Sequence, residues 1–166
     1  MQRQGKNVPV NALSLRPAIV TDLPSIYRGE LAYIQQWEPT HEAGWRSQVE
    51  HNLALWVDNF ELLTVAVLDG QLVGYSLWRP KDSFAELYTI NVSEAYRRKG
   101  IGRALLDAYG VTALGSGCTH LSLSVRPDNP ARLMYEGAGF IAVGTDSHGY
   151  LRYERANGLG TKNLIG

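Results

Sequence analysis

Asn91-Val92-Ser93-Glu94-Ala95-Tyr96-Arg97-Arg98-Lys99-Gly100-Ile101-Gly102-Arg103-Ala104-Leu105-Leu106 joins two periodic runs through a basic turn that carries two glycines. Upstream, Phe84 to Val92 reads as a strand; downstream, Ile101, Ala104, Leu105, Ala108 and Val111 trace one face of a helix. A turn opening directly into a helix offers free backbone N–H groups at the positive end of the helix dipole, and glycine lets an anion approach the backbone closely. A pyrophosphate suits such a turn. Taken alone, the same residues also read as a solvated basic turn capping a helix.

Three phosphate-binding patterns compete for the segment. A nucleotide P-loop needs G-x-x-x-x-G-K-[ST], which does not occur here. A dinucleotide fingerprint needs a small residue after G-x-G-x-x, where this chain has Leu105 after Gly100-Ile101-Gly102-Arg103-Ala104. The third, [QR]-x-x-G-x-[GA], is met in full by Arg97-x-x-Gly100-x-Gly102.

Outward from this turn the pattern is consistent. Leu62 to Leu68 and Leu72 to Trp78 flank Asp69-Gly70, a strong hairpin signal. Within Phe84 to Val92 the apolar positions change parity, from Leu87 to Ile90 and Val92, which an extra residue near Tyr88 or Thr89 would explain; a strand buried on both faces would blur the alternation too. Leu121, Leu123 and Val125 alternate with serines as a strand, and Asn129-Pro130 supplies an N-cap and a first helical proline. Phe140 to Val143 and Tyr150 to Arg155 are two closing strands. Nearer the start, Leu13 to Pro17 is a short strand. Thr21 or Asp22 caps a helix carrying Leu23, Ile26, Tyr27, Leu31 and Ile34, and a second helix bears Trp45, Val49, Leu53, Trp56 and Val57. This order predicts an α/β mixed sheet with helices on its faces, in a single domain over 1–166. Residues 1–11 and 157–166 lack periodicity and are expected to fray or to serve a partner contact.

From Leu62 to about Arg155 the chain resembles the GNAT superfamily of N-acetyltransferases. Besides the Arg97 to Gly102 loop, Asn129-Pro130-Ala131-Arg132-Leu133-Met134-Tyr135-Glu136-Gly137-Ala138-Gly139-Phe140 is similar to that family's N-x-x-A-x-x-x-Y-x-x-x-G-F segment, shifted by one at the alanine. The resemblance implies a mixed, mostly antiparallel sheet of six to seven strands, splayed at its centre and flanked by about four helices. It implies acetyl-CoA as cosubstrate with no metal, and direct attack by a primary amine of a small molecule or peptide in a ternary complex. A non-catalytic acyl-CoA-binding or regulatory module on the same fold is the alternative.

The same resemblance implies roles for single residues. Arg97, Arg98, Lys99, Gly100, Gly102 and Arg103 would hold the pyrophosphate. The backbone N–H of Ile90 would meet the acetyl carbonyl, Val92 and Asn129 would contact pantetheine, and Tyr135 would protonate the departing thiolate. Asn129 also reads as a helix cap, and both can hold. Glu86, six residues before Val92, resembles the general base of the family's protein-lysine acetyltransferases; otherwise it is a solvated strand-edge carboxylate. Trp37, Trp45 and Trp56 with Glu38, Glu42 and Glu50 read either as a pocket for a cationic amine or as core aromatics and a wet helix face.

Composition narrows the partners. Sixteen basic and sixteen acidic side chains cancel, so no net field draws a polyanion, and nucleic acid is not an expected partner. A weaker rival, DNA binding through Arg97, Arg98, Lys99 and Arg103, would show salt dependence that acetyl-CoA does not displace. No apolar run approaches the roughly 20 residues of a membrane span, and the amino terminus lacks the apolar core of a secretory signal, so the expected location is the cytoplasm. Cys118 is alone, and the four histidines lack zinc-site spacing. A homodimer is left open.

Overall fold

The first strand, β1 (Leu13–Pro17), leads into α1 (Leu23–Trp37), whose second residue is Pro24, placed where the missing N–H costs nothing. The structure, a computed structural model, describes residues 12–156. The expected loose ends at 1–11 and 157–166 lie outside the described residues. Asp22 does not cap α1 through its side chain; its carboxylate accepts from the Ile19 N–H at 2.8 Å and from the Arg16 guanidinium at 2.7 and 3.0 Å.

The helix expected from Trp45 to Val57 is two pieces, α2 (Glu42–Ser47) and α3 (Val49–Asp58). The break falls at Gln48, with φ −103° and ψ 11°. Beside it the Ser47 hydroxyl donates to the Gly44 carbonyl at 2.7 Å, a local bond of the kind that competes with helix continuation.

β2 (Leu63–Leu68) and β3 (Gln71–Lys81) form the expected hairpin, with Asp69 and Gly70 both at positive φ as a two-residue turn demands. In β4 (Phe84–Val92), Thr89 faces Leu77 while Leu87 faces Trp78, so Tyr88 is the extra, bulged residue. α4 (Ile101–Gly115) then leads to β5 (His120–Val125), α5 (Ala131–Gly137), β6 (Ile141–Thr145) and β7 (Leu151–Ala156). The sheet order is β1-β2-β3-β4-β5-β7-β6, antiparallel except for β4 beside β5. Among the described residues, seven strands and five α-helices answer to the mixed, mostly antiparallel sheet with about four helices expected.

β4 and β5 pair only over Phe84–Leu87 and His120–Leu123; beyond Leu87 they part. Tyr109 of α4 holds the paired section together, its hydroxyl donating to the Ala85 carbonyl at 2.8 Å and lying 3.2 Å from that of Ser122. On this face Leu106, Tyr109, Leu121, Leu123, Tyr135, Phe140 and Tyr153 make one core; on the other, Ile26 and Trp56 close over Leu63, Val65, Tyr75 and Leu77. Each fully buried leucine of this kind contributes about 1.5–3 kcal/mol. These two cores, with a third cluster of Ala66, Leu68, Val73, Ile101 and Leu105, hold the sheet from both sides, leaving the unpaired end of β4 as the place where backbone donors open outward.

Candidate active site

Past the bulge, β4 sorts its side chains between the two faces. Thr89 and Asn91 turn to α1, where Thr89 bonds Glu30 and Asn91 donates to the Gly29 carbonyl at 2.9 Å; Ile90 and Val92 pack on the α4 side. The Ser93 N–H donates to the Val73 carbonyl at 2.8 Å. Strand alternation then sends the N–H of Asn91 toward β3 and those of Ile90 and Val92 to the opposite edge, which β5 has left. Two backbone donors thus open into the gap.

The turn that follows is shaped by positive φ at Arg98 (62°) and Gly100 (81°), the second at the N-cap of α4. The first bond into that helix runs from the Ala104 N–H to the Gly100 carbonyl at 3.0 Å. The N–H groups of Ile101, Gly102 and Arg103 precede it and meet no acceptor among the described residues. Arg97 braces the turn by donating to the Val92 carbonyl at 3.0 Å; Arg98 and Lys99 are exposed. Arg103 pairs with Asp107 at 3.0 Å and reaches the Gly137 carbonyl at 3.4 Å. A Cβ on Gly102 would come 3.1 Å from Met134 Sδ and 3.7 Å from Val92 Cγ2, so a side chain there would press on Met134 where α4, α5 and β4 converge.

Asn129 is buried, and its side-chain oxygen accepts from the Ala131 N–H at 3.0 Å, opening α5. Asn129 thus satisfies a backbone donor at the start of α5, but the N-cap position falls on Pro130, so the helix begins one residue later than the sequence predicts. Tyr135 is 5% exposed, with its ring edge-on to Phe140 at 6.3 Å and 6.4 Å from Tyr153. Burial first, and the neighbouring Tyr33 second, push its phenol above the ordinary range. Its hydroxyl makes no hydrogen bond to a described residue. Trp78 Nε1 is the one fully buried side-chain N or O without a partner among the described residues, so the Tyr135 hydroxyl is not completely enclosed.

Glu86 lies in the paired section of β4, between Arg79 on β3 and Ser122 on β5. Its two oxygens are 3.6 Å from Lys81 Nζ and 3.7 Å from Arg152 Nη1. The sequence reading did not single out Glu30. Its Oε1 accepts from the hydroxyls of Tyr75 at 2.8 Å and Thr89 at 2.7 Å, and burial is the main influence raising its carboxyl above the usual range. A polar residue within the apolar spacing of α1 was the available signal.

Of the aromatic and acidic residues expected to form a pocket, Trp45 and Glu38 do so. They border a cleft of about 460 Å³ with Ile34, Thr40, His41 and Gln48. Glu38 also accepts a hydrogen bond from the Tyr150 hydroxyl. Trp56 belongs to the core, Glu42 pairs with Arg46 at 3.2 Å, and Glu50 is exposed.

A central strand pair that parts, with a basic turn and free helix N–H groups just beyond the parting, matches the acyl-CoA-dependent transferase fold that the sequence resembles. The profile of the acetyltransferase (GNAT) family matches residues 27–140, well over half of the chain, and the chain belongs to that family. It is 40% identical over 94 residues to the N-alpha-acetyltransferase RimI of Mycobacterium tuberculosis, covering 54% of this chain and 55% of that one. It is 34% identical over 90 residues to a mycothiol acetyltransferase of Jonesia denitrificans, covering 52% of this chain and 28% of that one. The chain thus matches between about a quarter and about half the length of these curated relatives. Among solved structures, the PaiA N-acetyltransferase of Thermoplasma acidophilum, determined in complex with coenzyme A, superposes with a TM-score of 0.77 at 20% identity, over 87% of this chain and 99% of that one. The ribosomal-protein-S18-alanine N-acetyltransferase of Escherichia coli gives 0.63 at 22%, over 93% and 100%. At such identities these two establish the shared fold.

Proposed function

We propose that this protein moves an acetyl group from acetyl-CoA to a primary amine of a small molecule or peptide, by direct attack in a ternary complex and without a metal. The observation that carries this reading is the parting of β4 from β5 beyond Leu87, which turns the N–H groups of Ile90 and Val92 into the gap. The Arg97 to Gly102 turn fits a pyrophosphate: three free helix N–H groups, a glycine that no side chain could replace without displacing Met134, and the cationic Arg98 and Lys99 at the surface.

In this reading each residue does one task. The Ile90 N–H steadies oxyanion charge growing on the acetyl carbonyl, a service worth several kcal/mol in comparable sites, about 2.7–4 for one donor. Val92 and Asn129 hold the pantetheine arm. Tyr135 donates its proton to the departing thiolate, and its raised pKa keeps that proton in place throughout the neutral range. Glu86 is the carboxylate that the family resemblance assigns to the amine's proton; with Lys81 and Arg152 on its two oxygens, it would receive that proton through water. The cleft beside Glu38 and Trp45 receives the body of the acceptor. Residues 1–166 act as one domain. Among the described residues no helix is long and apolar enough to cross a membrane, which suits a cytoplasmic enzyme.

Thiol release from acetyl-CoA, followed across polyamines, aminoglycosides, amino acids and short peptides, tests the proposal. Acceptor-dependent release is the expected result. A CoA-induced rise in melting temperature with no release for any acceptor would instead establish the non-catalytic module.

A further inference from the structure

We propose that Glu30 is a second carboxylate of the reacting centre and the one that accepts the acceptor ammonium's proton directly. The inference rests on the acetyl-transfer reading above. Glu30 sits on α1, and its Oε1 is anchored from two strands: the Tyr75 hydroxyl of β3 at 2.8 Å and the Thr89 hydroxyl of β4 at 2.7 Å. Thr89 directly follows the bulged Tyr88 and directly precedes Ile90, whose N–H opens into the gap. Glu30 is thereby tied to the residue next to the proposed oxyanion donor. Glu86 is farther back, where β4 is still paired with β5.

The other oxygen of Glu30, Oε2, has no hydrogen-bond partner among the described residues, and it is not among their fully enclosed atoms. One oxygen is fixed and the other is unpartnered and not fully enclosed. No cation among the described residues ion-pairs with Glu30, whereas both oxygens of Glu86 face cations. The ionisable groups influencing Glu30 are Tyr75 from β3 and Glu38, which directly follows α1, and Thr89 on β4 is neutral. Tyr33, also on α1, lies within electrostatic range of Glu30, Glu38 and Tyr135. Glu30, Tyr33 and Ile34 recur at helical spacing, so the α1 face that carries Glu30 runs to Ile34, which borders the cleft.

Proton and electron pairs balance as follows. Glu30 Oε2 takes one proton from the ammonium, and the freed nitrogen lone pair forms the C–N bond to the acetyl carbon. The C–S bond then breaks, with its electron pair leaving on sulfur, and Tyr135 protonates the thiolate. The remaining excess proton on nitrogen passes through water to restore Tyr135, and Glu30 returns its own to solvent.

Spermidine and an alanine-initiated hexapeptide serve as probe acceptors. Glu30→Gln still accepts the hydrogen bonds of Tyr75 and Thr89, so the CoA-induced thermal shift is expected to survive. Its kcat/KM should fall at least tenfold at pH 7, and the deficit should shrink toward pH 9.5, where free amine needs no base. Calorimetric binding of the same probe to the CoA-saturated protein should weaken at least fivefold in Glu30→Gln. If Glu30→Gln loses the CoA shift, Glu30→Asp, which withdraws the acid by one methylene, must show the same pH-dependent deficit. A wild-type to variant ratio that stays flat with pH, or unchanged probe binding, overturns the assignment to Glu30 while leaving acetyl transfer intact. Absence of turnover by the wild type with every acceptor tried removes the underlying reading and this assignment with it.

Discussion

Met134 Sδ stands 3.1 Å from the point where a Cβ on Gly102 would lie, so the first turn of α4 and the middle of α5 meet tightly enough that a side chain would push Met134 aside. Because the neighbour is the flexible end of a methionine, a substitution is survivable for the fold. It is not neutral for an anion that approaches the same backbone. CoA in hundredfold excess over its dissociation constant should stabilise the wild type by about 2.7 kcal/mol, or roughly 5–10 °C in Tm for a chain of this size. Gly102→Asp is expected to remain folded by circular dichroism and to show no such shift in a thermal scan. An undiminished shift would remove the pyrophosphate assignment.

Tyr135→Phe keeps the ring that packs on Phe140 and Tyr153 and deletes only the hydroxyl. Binding of CoA should be unchanged, with kcat down at least tenfold on the best acceptor, equivalent to about 1.4 kcal/mol of transition-state stabilisation. Since burial and Tyr33 hold the phenol above its ordinary pKa, the wild-type rate should not fall through Tyr135 ionisation below about pH 10. Steady-state kinetics from pH 6 to 10 check both statements.

Asp22 is buried at the start of α1 and held below the usual carboxylate range, chiefly by its hydrogen bonds to Arg16. A carboxylate whose folded pKa is depressed contributes stability that is present above its unfolded pKa, about 3.9, and lost as pH falls through the folded value. Arg16 is 40% exposed, so screening keeps the contribution modest. Asp22→Ala should cost about 1–2 kcal/mol at pH 7 by urea unfolding, and the gap to wild type should narrow below pH 4.

At Gly29 two effects oppose each other. Replacing a mid-helix glycine by alanine favours the helix by about 0.8–1 kcal/mol. The new Cβ, however, would lie 2.7 Å from both Cε1 and the hydroxyl of Tyr75, and overpacking of this kind costs about 1–3 kcal/mol. Displacing that ring also breaks its bond to Glu30. Gly29→Ala should therefore be destabilised by about 1 kcal/mol in urea unfolding. A stabilised variant would show that Tyr75 does not occupy this position.

What the amino-acid order determined by itself is local. Asp69-Gly70 specified the hairpin because its two residues tolerate positive φ, and the parity change from Leu87 to Ile90 foretold the bulge that pairing assigns to Tyr88. The Arg97 to Gly102 turn and the Asn129 to Phe140 segment were legible because each is a short run whose backbone conformation follows from its own residues. Period and turn chemistry act over a few positions. The parting of β4 from β5 was implied only by family resemblance, since no local pattern says where two strands stop pairing. The tertiary structure alone placed Glu30 against Thr89, 59 residues away, set Lys81 and Arg152 on either side of Glu86, and inserted β7 between β5 and β6. It also broke the helix at Gln48, where a serine hydroxyl competes for a backbone carbonyl. These contacts depend on which faces are buried against which, a choice made by the two cores together rather than by any single segment.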